Sequence, residues 1–356
     1  MSDITSSHEK VEVFPGFDGL RLFAALAVVF SHSFFIAEGT EAGEPFNHIV
    51  GLFSPGKNII GLFGVFVFFI ISGFLLLHSL VLNPNAFQFA LNRLLRILPG
   101  FTLCAIIVAF VIVPFASPLN FASYLQQPQP YAYVMKSIIC MCDAGEIKFV
   151  PEFSDIKNGS LWSLSAEVAS YLLLLLTWMV LRLPYLVAAV FSLFMMLVFF
   201  LPGTGYSWFP TFGYTLPYFA SGVLVYAIYA KFGTNSRIAI LAALMIILSV
   251  PTGFLHMAFA PLGAYVVVHL GGRSNVGSRF TAKFGDLSYG IYLYGWPVTT
   301  LMHYETNIGS GYLMFGAVLP VVMVLAAVSW WGIEKSALKL KPMISAFSNL
   351  IVTKTE

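Results

Sequence analysis

Charge is what this chain has least of. Asp, Glu, Lys and Arg together make 10% of its 356 residues, against 58% hydrophobic and 16% aromatic. A soluble globular domain carries about 25% charged residues, so the deficit excludes that class and points to a membrane protein. Cysteine is almost as sparse. Cys104, Cys140 and Cys142 are the three present, too few for a disulfide framework or a thiolate cage, and a bond between Cys140 and Cys142 would be strained at that spacing. No spacing of His, Cys, Asp and Glu assembles metal ligands, so no metal is expected. There is no internal repeat that reads as an inverted transporter half, no low-complexity tract, and no room for a soluble domain. The longest hydrophilic connection runs from about residue 117 to 159, long enough to act as a lid or a re-entrant piece. A cleavable signal peptide is not expected either, because the polar start MSDITSSHEKVEVFPGFDG leads straight into a full-length apolar run.

Apolar runs are what the chain does have. They recur at 18–37, 58–81, 97–116, 160–181, 184–202, 210–231, 237–252, 254–270, 286–304 and 311–333, most of them long enough for a helix to cross a bilayer. The expected fold is an all-α integral membrane protein of about ten transmembrane helices. The seventh and eighth runs are short and divided by Pro251 and Gly253, so they would also suit a single re-entrant unit. The domain plan is a cytoplasmic segment over 1–17, a transmembrane domain over 18–333 and a cytoplasmic tail over 334–356.

Lys and Arg collect on the cytoplasmic side of short loops, and here they sort sharply. With the N-terminus inside, Lys10, Arg21, Arg93, Arg96, Arg182, Lys231, Arg237, Arg273, Arg279, Lys283, Lys335, Lys339, Lys341 and Lys354 fall at the cytoplasmic side, and Lys57, Lys136, Lys148 and Lys157 outside. The outer segments hold Glu38, Glu41, Glu44, Asp143, Glu146, Glu152, Asp155 and Glu305. The formal net charge of +2 therefore hides a strong sidedness and gives no reason to expect nucleic acid as a partner.

Against this background a few polar residues stand out. Arg21 and His32 sit in DGLRLFAALAVVFSH, where a charge near the bilayer centre costs about 2.5–3.5 kcal/mol on the lenient insertion scale. Eleven helical residues bring His32 to within about 20° of Arg21's azimuth, about 16.5 Å along the axis. One helix thus presents a fixed cation near one surface and a titratable imidazole deeper in. The bland alternative is a snorkelling Arg and a packed His. Arg93 and Arg96, three apart in NRLLRILPGF, share a helical face and suit phosphate oxygens, although a cytoplasmic loop also retains such residues for topology alone. Glu167, in NGSLWSLSAEVASYLLLLL, is a lone intramembrane carboxylate that would orient an imidazole, pair with an Arg, or mark the outer interface. Ser163 and Ser165 add hydroxyls nearby, which in membrane helices mostly bond the preceding turn, and Trp162 is either an interfacial anchor or a substrate platform. His78, His256, His269 and His303 lie near helix ends and read as interfacial or packing residues, and His8 and His48 carry no signal.

Together these segments resemble the membrane acyltransferase-3 family, the integral enzymes that O-acylate surface polysaccharides such as O-antigens and exopolysaccharides. The family's Arg followed after ten residues by His stands as Arg21 and His32. Its glycine and phenylalanine stretch ending in Ser-Gly-Phe stands as GVFVFFIISGFLLL, with Ser72 and Gly73. Its paired arginines match Arg93 and Arg96, its Trp-Ser-Leu-x-x-Glu element Trp162, Ser163 and Glu167, and its late Ser-Tyr-x-x-Tyr-Leu element Ser288, Tyr289, Tyr292 and Leu293. One position departs. Many relatives carry a His before the Trp-Pro pair of the ninth helix, whereas IYLYGWPV has Gly295 there and offers no second base.

The resemblance implies an acyltransferase of the plasma membrane, the inner membrane of a bacterium, that moves an acyl group, most simply acetyl, from cytoplasmic acyl-CoA to a hydroxyl of a lipid-linked or exported saccharide. Arg21, Arg93 and Arg96 would hold the donor's phosphates. His32 would act as base, with Glu167 in support, and an imidazole whose ordinary pKa lies near 6.5 suits that work. An acyl-histidine intermediate is the competing route. Ser72, Trp162, Ser163, Tyr289 and Tyr292 are candidates for the substrate site. The alternative function is a proton-coupled transporter or exporter with Arg21, His32 and Glu167 as its relay. Under either function both termini are cytoplasmic. Reporter fusions after Lys354 and within 40–57 are expected to give opposite sidedness, and an outer C-terminus would show that a span has been miscounted.

Overall fold

The computed structural model describes residues 14–53, 58–140, 158–200, 210–273 and 276–341. All regular structure among them is helical. In chain order the helices are α1 (Gly16–Glu38), α2 (Pro45–Gly51), α3 (Ile60–Leu82), α4 (Ala86–Ala116), α5 (Phe121–Leu125), α6 (Gln129–Cys140), α7 (Gly159–Leu181), α8 (Pro184–Phe200), α9 (Pro210–Phe232), α10 (Ser236–Thr252), α11 (Leu255–Gly271), α12 (Val276–Phe284), α13 (Ser288–Thr306) and α14 (Gly311–Leu338).

A helix occupies each of the ten apolar runs. Among the described residues five of them, α1, α3, α4, α7 and α14, are long and apolar enough to cross a membrane. Outward faces carry large apolar side chains such as Leu241, Leu248, Leu313 and Val324, an apolar surface suited to lipid. The third run differs from its sequence outline. It begins at Ala86 and not near 97, so Arg93 and Arg96 lie within a long helix and not on a loop before it. Asn85 starts that helix by accepting from the Gln88 N–H at 3.0 Å. The seventh and eighth runs form two helices, α10 and α11, that turn at Gly253 with φ of +76°, a left-handed conformation natural to glycine. The connection after 116 contains α5 and α6; its remaining residues 141–157, with Cys142, lie outside the described residues, as do most of the two terminal segments.

α1 is the central column. It packs against α3, α11, α12, α13 and α14, and small residues set the spacing. A Cβ on Gly64 would stand 2.6 Å from the Ala24 carbonyl oxygen, and one on Gly295 would stand 2.6 Å from Val29 Cγ2. The second contact explains the departure from the family pattern: Gly295 faces the wall of α1, where no imidazole fits. The buried Glu44 secures the acidic end of α1. Its carboxylate caps α2 through the Asn47 N–H at 2.5 Å, accepts from the Ile60 N–H at the start of α3 at 3.0 Å, and accepts from Ser31 Oγ at 3.2 Å. Ser31 Oγ in turn accepts from the Gly61 N–H at 2.8 Å, which pins the turn of α1 that carries His32.

α3 and α9 cross equally closely. A Cβ on Gly73 would stand 2.1 Å from the Phe219 carbonyl oxygen, and one on Gly222 would stand 2.1 Å from that of Ile70. The glycine of the Ser-Gly-Phe element is therefore a packing residue, and it fixes Ser72 beside it. Overpacking such a contact costs about 1–3 kcal/mol. Gly73→Leu is expected to lower the melting midpoint of detergent-purified protein clearly, while Gly316→Leu, at a glycine with nothing within 4 Å of its Cβ position, leaves it unchanged. Equal melting of the two variants would show that the crossing is looser than this.

Candidate active site

Three chambers are stacked through the bundle along α1. The first, about 410 Å³, is lined by His32, Ser31, Phe35, Glu41, Trp162, Tyr214, Tyr292 and Trp296. The second is narrow, about 80 Å³, and brings together Ser72, Ser163, Glu167, Tyr171, Tyr289 and Tyr292 with Arg21, Arg93 and Arg96. The third, about 520 Å³, opens at the basic end between Arg21, Arg93, Arg96, Lys283, Trp330, Trp331, Lys335 and Lys341. Neighbouring chambers share walls: Val65 and Tyr292 separate the first from the second, and the three arginines separate the second from the third.

His32 sits against Trp296, with ring centroids 4.7 Å apart and planes at 77°. Trp296 lies flat on the chain at Gly159, where a Cβ would stand 2.6 Å from its Cε2. Its indole N–H is buried without a hydrogen-bond partner. Glu41 adds a carboxylate to the same walls. Tyr292 closes the inner side of the chamber. Its hydroxyl bonds the Ser160 carbonyl and lies 2.7 Å from Ser163 Oγ.

The middle chamber holds Glu167. Its Oε1 accepts from Ser72 Oγ at 3.3 Å and from the Tyr171 hydroxyl, one helical turn further along α7. Sequence reasoning expected this carboxylate to support the imidazole of His32, but Glu167 and His32 line different chambers. Tyr289 anchors the wall of α4, donating to the Ile97 carbonyl at 3.0 Å, and the Arg96 guanidinium lies 5.9 Å from the centre of its ring.

Of the three arginines, Arg96 is the most firmly held. It meets Asp286 Oδ2 at 2.6 Å, with both side chains mostly shielded from solvent, and Asp286 also accepts from Ser288 Oγ at 2.5 Å. Arg21 lies 3.8 Å from Asp18 across one turn of α1. Arg93 differs, because its Nε is buried without a hydrogen-bond partner. Lys341, beyond the end of α14, faces this group. Burial, followed by the charges of Arg93, Arg96 and Arg21, pushes its amine down to about 8.

All ten residues singled out from the sequence thus line this stack: His32 and Trp162 the first chamber, Ser72, Ser163, Glu167 and Tyr289 the second, Tyr292 the wall between them, and Arg21, Arg93 and Arg96 the wall of the third. Sequence reasoning missed Trp296, Glu41, Tyr171 and Asp286. Tyr171 had a visible signal in its spacing of four from Glu167, and Trp296 in the Trp-Pro pair; nothing local distinguishes Glu41 or Asp286 from other boundary acids. Among the described residues no group of three or more His, Cys, Asp or Glu stands close enough to hold a metal ion.

Comparison with known proteins agrees with the resemblance. The model of the acyltransferase-3 family, described as an acyltransferase domain, matches residues 14–333. Nodulation protein 10 of Rhizobium leguminosarum bv. viciae is 30% identical over 366 aligned positions, which cover 93% of this chain and 95% of that protein. The O-acetyl transferase of Shigella phage Sf6 is 29% identical over 160 positions, 44% of each chain. No solved structure matches. On a family match across nearly the whole chain, this protein belongs to the acyltransferase-3 family and is a membrane acyltransferase that transfers groups other than aminoacyl groups.

Proposed function

We propose that this protein is an O-acyltransferase that takes an acyl group, most simply acetyl, from cytoplasmic acyl-CoA and delivers it to a hydroxyl of a lipid-linked or exported saccharide. The observation that carries this reading is the alignment of three unlike chambers along one helix: a cationic one, a narrow one and one built around an imidazole. The donor is a polyanionic head on a long neutral arm with the thioester at its tip. The cationic chamber suits the head, and the narrow chamber between the arginines and Tyr292 suits the arm. Arg21 and His32, about 16.5 Å apart along α1, then stand at the two ends of one bound molecule. This orientation puts the basic end of the bundle in the cytoplasm, and ten crossings would bring both termini to that side.

In the His32 chamber an acceptor hydroxyl gives its proton to an imidazole nitrogen as its oxygen attacks the thioester carbonyl. The C–O bond forms, the C–S bond breaks, and the imidazolium returns the proton to the departing thiolate. The rings of Trp296 and Trp162 in the chamber wall suit a sugar, which presents C–H groups on its face and hydroxyls at its rim. Glu167, tied to Ser72 and Tyr171, shapes the passage for the thioester arm and does not orient His32 directly. The phage relative carries the name O-acetyl transferase, which supports acetyl as the group moved.

Two variants separate binding from chemistry. His32→Ala is expected to insert, accumulate and bind acetyl-CoA with wild-type affinity while acyl transfer falls by about 10² to 10⁴, the usual worth of a general base. Parental transfer rates in that variant, followed by mass spectrometry of surface glycans, would sink the mechanism. Glu167→Gln is expected to lower turnover through placement of the thioester while the affinity for free CoA changes little. Unchanged turnover would show that the middle chamber is not on the path.

A further inference from the structure

Between Gly271 and Asp286 the chain has three cations, Arg273, Arg279 and Lys283, and no acid. Most of this stretch is α12, the nine-residue helix Val276–Phe284 that connects the ends of α11 and α13. At about 100° per residue, Ser278 and Thr281 fall on one half of it, and Arg279, Phe280, Lys283 and Phe284 on the other. The structure buries the first half. Ser278 is 8% and Thr281 6% exposed, while Arg279 and Lys283 are exposed and Phe284 is 44% exposed. A helix on a soluble domain does the reverse, hiding its aromatics and showing its hydroxyls.

The inner half is firmly seated. A Cβ on Gly277 would stand 2.6 Å from Gly19 Cα, so α12 lies directly on the start of α1, and Thr281 Oγ1 donates back to the Ser278 carbonyl at 3.0 Å. On the outward half the rings of Phe280 and Phe284 pack together, centroids 4.6 Å apart, and the Lys283 amine lies 5.2 Å from the centre of the Phe284 ring. α14 extends the same surface. Trp331, 53% exposed, donates its indole N–H to the Phe284 carbonyl at 3.2 Å, and the Lys335 amine sits 3.7 Å from its ring centre. With its nitrogen satisfied, this exposed indole has only apolar area left to cover.

We propose that α12 and the Trp331 turn of α14 form a docking surface for anionic phospholipid headgroups, with Phe280, Phe284 and Trp331 at headgroup level and Arg279 and Lys283 on the lipid phosphates. Place and charge favour this occupant over an acidic protein. Residues 272–275 and 285–287 alone separate α12 from α11 and α13, which the ten-crossing reading makes membrane spans, so the outward half of α12 lies at the bilayer edge. Aromatic rings settle in that layer, and a helix with cations beside aromatics is drawn to anionic lipid. The acids that flank the region are engaged elsewhere: Asp286 meets Arg96 and Asp18 lies near Arg21. The proposed orientation enters only in naming the leaflet, the cytoplasmic one, whose anionic lipids give it a negative surface potential. Thr281, Ala282 and Lys283 also line the third chamber, so the docked surface borders its mouth.

The experiment places the full chain in lipid nanodiscs of phosphatidylcholine, alone or mixed equally with phosphatidylglycerol, and follows amide hydrogen exchange by mass spectrometry. Exchange over 276–284 is expected to slow by about fivefold or more in the mixed discs, the worth of one basic residue at an anionic surface. Exchange over α2, at the acidic end, should not slow. Salt at about 1 M, where the screening length is about 3 Å, should remove most of the difference. Arg279→Glu should abolish it and Arg279→Lys should keep it, because a lipid surface asks for charge and not for a bidentate fork. If Arg279→Glu melts below the parent, Arg279→Gln carries the same test. Phe284→Ser should speed exchange over α12 in both kinds of disc. Equal exchange of the parent in the two discs would overturn the docking surface, as would slowing that Arg279→Glu leaves intact or that α2 shares. Protection of α12 by polyglutamate in neutral detergent, with none from phosphatidylglycerol, would give the surface to an acidic protein. Both leaflets of a disc are alike, so these outcomes depend neither on sidedness nor on the donor, and their failure would leave the proposed activity standing.

Discussion

The contact between Arg96 and Asp286 at 2.6 Å is the interaction on which the arrangement of the site depends. Three guanidiniums gathered inside an apolar bundle repel one another and lose hydration, and such a group persists only where a carboxylate shares the burial. Asp286 stands at the start of α13 and also accepts from Ser288. The pair therefore joins α4 to the helix that carries Tyr289, Tyr292 and Trp296. With Arg96 committed in this way, Arg93 lies between two chambers with its Nε buried and without a hydrogen-bond partner. The same ion pair thus holds the wall and leaves an adjacent cation without a carboxylate of its own among the described residues.

Close packing around α1 supplies the other half of the design. A helix that bears Arg21 near one end and His32 near the other is useful only if its neighbours come near enough to enclose both. Gly64 and Gly295 permit that approach, and the carboxylate of Glu44, bonded to three partners, fixes the acidic end against α2 and α3. Gly295 also shows how one position can serve either packing or chemistry. In this chain it packs against Val29, and the imidazole in the first chamber is that of His32.

Much of this was legible in advance. Ten apolar runs, a lopsided charge distribution and five short polar elements named the helices and the polar residues that line the three chambers, because bilayer solvation penalises stray polar groups and makes those that remain conspicuous. The third run shows the limit of that logic: hydropathy drops at Arg93 and Arg96, so the run was cut at 97, while backbone hydrogen bonding continues back to Ala86 regardless of side-chain charge. Glu167 shows another. Its position along α7 was readable, but its partner Ser72 depends on how α3 meets α7, and α3 is itself held against α9 by Gly73 on one side and Gly222 on the other.

By itself the sequence determined the class, the helices, the family elements and the residue types available for chemistry, since each of these follows from local composition and spacing. Only the tertiary structure decided that His32 and Glu167 occupy separate chambers, that Trp296 faces the imidazole, and that Lys283, Lys335 and Lys341 converge beside Trp331. These are relations between helices far apart in the chain. They are fixed by steric fit and ion pairing in the assembled bundle, which no local pattern encodes.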